Sequence, residues 1–81
     1  MSRYEELARE EQRLATTSDA AARAANIALH ELDMSLPGTS DHDQKRREFE
    51  AARIRFAEAS RLWEQAKAGL DAHVRTEGGA Q

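Results

Sequence analysis

Apolar residues in the second half of the chain recur at alternating spacings of three and four. Phe49, Ala52, Phe56, Ala59, Trp63, Ala66, Leu70 and His73 form one such stripe, the pattern of a helix packed against another helix. A thinner stripe made largely of small residues precedes it: Tyr4, Leu7, Glu11, Leu14, Ser18, Ala21, Ala25, Ala28 and Leu32, flanked by Ala22 and Leu29. Between them, Leu36-Pro37-Gly38 is the strongest breaker in the chain, because the residue before a proline is pushed out of the helical region. The pattern therefore predicts an all-α protein, an antiparallel, coiled-coil-like two-helix hairpin. Helix 1 is expected over about 3–34, the turn over 35–40 and helix 2 over about 41–76.

The expected ends carry capping signals. Ser2 followed by Glu5 forms an S-x-x-E box, and Ser40 with Asp43, or Asp41 with Gln44, forms a second one. Gly78 and Gly79 are expected to stop helix 2, leaving 78–81 as a flexible tail. Thr16, Thr17, Ser18 and Asp19 compete for backbone hydrogen bonds. The seam keeps one phase across them, so helix 1 is expected to continue.

Folding at Pro37-Gly38 brings together positions whose numbers add to about 77, since both helices rise equally per residue. Ala28 then faces Phe49, Ala25 faces Ala52, Ala21 faces Phe56, Leu14 faces Trp63 and Leu7 faces Leu70. Large rings meet small residues, as close packing requires. The intramolecular seam is thus assigned to Leu7, Leu14, Ala21, Ala25 and Leu32 on helix 1. Phe49, Phe56, Trp63 and Leu70 supply it from helix 2.

Composition limits what such a hairpin can do alone. Of 81 residues, 40% are hydrophobic, but half of these are alanine, too little apolar volume for a thick core from one chain. Ile27, Ile54 and Leu62 lie off the seam and form a candidate oligomer or partner surface. Dimerisation into a four-helix bundle is the economical use of them, with a different protein partner as the alternative.

Glu11 is the charged residue that interrupts the helix 1 stripe. It is expected either to make a partly exposed ion pair with Lys67 or to specify register, as polar seam residues of coiled coils do. Lys45, Arg46, Arg47, Arg53, Arg55 and Arg61 give helix 2 a basic look, yet acids stand at neighbouring helical positions and residues 41–81 balance to zero charge. With a net charge of −3 overall, a solvated surface is favoured over a phosphate-binding stripe. His30 with Asp33, and His42 with Asp41 and Asp43, flank the turn, but no pair within one helix has the spacing that fixes a metal.

There is no cysteine, and neither a nucleophile motif nor a phosphate-cradling glycine loop is present. A non-enzyme is expected, with no catalytic residue, metal, cofactor, small molecule or membrane partner. The N-terminal MSRYEELAREEQ contains no apolar signal region, so the cytoplasm is the expected location, with export by a route lacking a cleaved signal as an alternative.

In size and layout the chain resembles several families of small bacterial helical hairpins. Its proline-containing turn, Leu36-Pro37-Gly38-Thr39, resembles that of type III secretion needle subunits, and the layout is similar to small type III chaperones and to the Trp-x-Gly proteins of type VII secretion. The Trp-x-Gly motif itself is absent from the turn: Trp63 lies inside helix 2, followed by Glu64 and Gln65. The resemblance is one of architecture and implies no functional residues. The leading functional expectation is a self-associating interaction module, an adaptor or small chaperone. A secreted or assembly-forming structural subunit is the alternative, and a small regulator near nucleic acid is the third reading.

Overall fold

The computed structural model describes residues 2–79, which form two helices and no strand. Helix α1 spans Arg3–Met34 and α2 spans Ser40–Gly79. They pack antiparallel into a rod measuring 64 × 18 × 13 Å, close to the ~60 Å that forty residues occupy at 1.5 Å per residue.

Each boundary has a local cause. Ser2 caps α1, its hydroxyl accepting from the Glu5 amide at 3.2 Å, and Glu5 and Glu6 occupy the first turn, where the helix dipole favours acids. α1 runs unbroken through 16–19 because Thr16 and Thr17 donate their hydroxyls to the carbonyls of Gln12 and Arg13, at 3.1 and 3.0 Å. Their competing hydrogen bonds are satisfied inside the helix.

The turn is a short polar network. The Ser35 amide and hydroxyl both reach the Leu32 carbonyl, at 3.1 and 2.7 Å, and the Ser35 hydroxyl lies 2.8 Å from His42 Nδ1. Gly38 adopts φ +85°, a left-handed conformation that costs an L side chain roughly 1–2 kcal/mol. Thr39 is the N-cap of α2, displacing both expected signatures at Ser40 and Asp41. Its oxygen accepts from the His42 amide at 3.1 Å while its hydroxyl donates to the Leu36 carbonyl at 2.7 Å. Gly38→Ala is expected to cost about 1 kcal/mol although a Cβ there would meet no atom within 4 Å. Thr39→Ala should cost about 1 kcal/mol through the lost cap, and urea titration of each variant checks both values.

The C-terminal stop differs from expectation. α2 continues through Gly78 and Gly79, since glycine weakens a helix by only about 1 kcal/mol and stops it reliably only in a left-handed cap. The remainder of the expected tail, 80–81, lies outside the described residues.

Across the hairpin, residues 35 and 42, 31 and 45, and 11 and 63 are in contact, so the pairing sum stays between 74 and 77 along the rod. The best-buried residues are Leu14, Ser18, Ala25, Ala52 and Ala59, mid-rod and mostly small. No large side chain among the described residues is completely withdrawn from water. Leu7, Ala21, Leu32, Phe49, Trp63 and Leu70 are half-buried, and Phe56, expected in the seam, keeps 37% of its surface exposed. One neighbouring helix covers only one side of a ring.

Candidate interaction surfaces

The most specific polar arrangement centres on Trp63. Its indole Nε1 donates to Glu11 Oε1 at 3.2 Å, and Lys67 Nζ sits 4.1 Å from the ring centroid, within cation–π range. Lys67 is in turn paired with Glu64 at 3.0 Å. This corrects the expected Glu11–Lys67 pair: Glu11 binds the indole, and the lysine covers the ring face. The register explains the exchange. The contact joins 11 and 63, a sum of 74, so the indole reaches three residues further along α1 than Leu14, the residue that a sum of 77 sets against it. A half-buried carboxylate thereby gains a donor without requiring a buried cation.

Near the turn, Lys45 bridges the helices, 3.3 Å from Glu31 and 3.8 Å from Glu48. The hydrogen bond to Glu31, aided by the charges of Glu31, Glu48 and Asp41, raises the lysine pKa above its ordinary value. Stability from this pairing is present below the usual lysine range and is lost only as pH rises through the elevated folded value. At the other end, Arg13 hydrogen-bonds Glu10 and holds that carboxyl below its ordinary range. That contribution is present above the usual carboxylate pKa and is lost as pH falls through the depressed folded value. Both pairs are exposed and contribute little at neutral pH.

Two of the arginines at the start of α2 are locally engaged. Arg46 pairs with Asp43 at 3.3 Å, and Arg47 donates to Gln44 at 3.2 Å. Among the described residues no cluster of three His, Cys, Asp or Glu side chains could hold a metal; His42 is tied to Ser35 instead. Among the described residues no helix is long and apolar enough to cross a membrane.

The three off-seam residues are all exposed, Ile27 by 60%, Ile54 by 53% and Leu62 by 47%, but they do not converge. Leu62 lines a shallow groove of about 320 Å³ with Leu14, Thr17, Ala21, Arg55 and Ala59, and neither isoleucine reaches it. Ile54 lies nearly opposite Phe49 and Phe56 around α2, on the outside of the rod. The flank of α1, of which the sequence pattern showed Ala22 and Leu29, also includes Ala8 and Ala15 one and two heptads earlier, so that it runs Ala8, Ala15, Ala22 and Leu29. The first three are half-buried, and Leu29 is 41% exposed. Their seven-residue spacing was the available signal. Comparison with protein-family models, with curated proteins and with solved structures finds no match for this chain.

Proposed function

We propose that the protein is a non-catalytic interaction module, a helical hairpin that self-associates into a four-helix bundle and works as an adaptor or small chaperone. The observation that carries this reading is the incomplete core. The hairpin closes on alanines while Phe56, Leu29, Leu62, Ile27 and Ile54 all remain more than a third exposed. Covering such side chains stabilises by about 1.5–3 kcal/mol each, comparable with the whole stability of a small domain. Pairing two hairpins covers those of them that share one side of the rod, without new sequence. Ile54, on the outer side of α2, is then available to a different protein.

Light scattering is expected to give twice the 9.1 kDa chain mass at micromolar concentration. The melting temperature should rise with protein concentration, because association stabilises by mass action. A single-chain mass together with a concentration-independent melting temperature would exclude self-association.

A further inference from the structure

The two sides of the rod carry different amounts of charge. One side is built from the positions three beyond the seam residues Leu14 and Ala21 on α1 and three beyond Ala52 and Ala59 on α2, namely Thr17, Ala24, Arg55 and Leu62. The shallow groove joining Thr17 and Ala21 to Arg55, Glu58 and Leu62 marks this side. Its α1 edge continues through Ala20 and Ile27, so that Thr17, Ala20, Ala24 and Ile27 make an exposed, uncharged row at alternating spacings of three and four, a second seam pattern. Ile27 lies outside the groove but on the same side as Leu62. The α2 edge carries Ala51, Arg55, Glu58 and Leu62, all exposed. On the other side, α2 alone presents Arg46, Glu50, Arg53, Glu64, Lys67 and Asp71. A covering partner would take these charges of α2 out of water there, but only Arg55 and Glu58 here, and the cost of desolvating charges can exceed what pairing them returns.

Arg55 and Glu58 also select the partner. They stand one turn apart and take part in no ion pair among the described residues. In an antiparallel crossing of α2 with a second α2, Arg55 of each meets Glu58 of the other, and the exposed Leu62 comes down on the small Ala51. Both pairings share one axis, since 55 and 58, and 51 and 62, add to the same number. On α1 the uncharged row has its own centre between Thr17 and Ala24, next to Ala20. The two centres stand at the same level of the rod, because their numbers add to 77, the register of the hairpin. One axis therefore serves both helices: Thr17 meets Ala24 of the other copy, Ala20 meets its own counterpart, and Ile27 lies along the aliphatic stem of Arg13. Glu10 and Glu31, which approach each other at the edges, are already paired with Arg13 and Lys45. With α1 laid on a second α2 instead, Arg55 and Glu58 would face the uncharged row and be desolvated without a partner from the other copy.

We propose that a second copy of this chain covers the groove side, with the twofold axis running across the rod beside Ala20. α1 then lies on α1 and α2 on α2, and the two turns sit at opposite ends. The axis falls close to the middle of α1 (Arg3–Met34), so the copies overlap along most of a side 64 Å long and 18 Å wide, more than the ~800 Å² per partner of a standard interface. The proposal rests on the self-association reading above and adds its surface and its direction.

The chain has no cysteine, so single cysteines report on proximity. Ala20→Cys, exposed and beside the axis, should give a disulfide-linked dimer on mild oxidation, because the bond requires Cα atoms within about 7 Å; Ala57→Cys, exposed on the other side, should not. Arg55→Glu should weaken dimerisation roughly tenfold, and Arg55→Glu combined with Glu58→Arg should restore it, since the exchanged charges meet again across the axis. Leu62→Glu, which alters the interface twice, should weaken it roughly a hundredfold with the helical content kept, while Leu29→Glu, on the other side, should leave the mass unchanged. A dimer that Leu29→Glu abolishes and Leu62→Glu does not would overturn the surface. A dimer with no cross-link at Ala20→Cys and no rescue by the charge exchange would overturn the direction, and both results leave self-association intact. A monomeric mass of the unaltered protein would remove both readings.

Discussion

Trp63→Ala is expected to lower the stability of the hairpin by about 3 kcal/mol, the lower end of the range for removing a large aromatic side chain. The lower end applies because the ring is half-buried, with its Nε1 bonded to Glu11 of α1 and Lys67 over the ring. Trp63→Phe keeps most of the apolar contact and removes the donor to Glu11, so it should cost about 1 kcal/mol. Denaturant unfolding followed by circular dichroism measures both. A loss under about 1 kcal/mol for the alanine variant, the scale of ordinary surface changes, would show that the ring contributes nothing to the seam. In a chain this short, 3 kcal/mol is a large fraction of the total.

The second large effect runs in the opposite steric direction. Ala52 is 8% exposed and, in the register of the rod, lies opposite Ala25, also 8% exposed. The two helices approach here through methyl groups, with nothing flexible to move aside. Ala52→Leu should therefore force the backbones apart and cost about 2 kcal/mol, as overpacking does. Ala57→Leu, at an exposed position of the same helix, should stay within about 0.5 kcal/mol of the parent, since leucine and alanine are both good helix formers. Equal melting temperatures for the two variants would show that no close approach exists at Ala52.

The hairpin was readable because its determinants are local or periodic. Pro37 and Gly38 break the chain once, the stripes keep one phase on either side, and equal rise from the turn sets a register that the contacts 35–42 and 31–45 follow and 11–63 leaves by three residues. What escaped depended on choosing among equivalent groups. Thr39, Ser40, Asp41 and Asp43 are all competent caps, and the turn geometry at Gly38 decides for Thr39. Glu11 had a lysine within reach, yet the indole donor took it, because the outcome depends on how far a side chain crosses between seam layers. The glycines at 78 and 79 looked like a stop, but a stop needs a left-handed residue as well as a glycine. The candidate surface was the least legible part. Ile27, Ile54 and Leu62 were selected for lying off the seam, which does not require that they lie together. Ala22 and Leu29 were legible as flanking the seam, whereas Ala8 and Ala15 in the same column were not, because alanines contribute little to a hydrophobic pattern.

The 13 Å depth of the rod has a kinetic meaning. With no interior layer, every backbone hydrogen bond lies within one side chain of water, so exchange of amide protons can proceed by partial opening without global unfolding. The two ends differ in how readily they open. One is closed by Ser35, Thr39 and His42, whereas the other holds Tyr4, half exposed, opposite the last turns of α2. Unzipping therefore starts from the free ends and travels toward the turn, meeting its main resistance where Leu14, Ala25, Ala52 and Ala59 exclude solvent best.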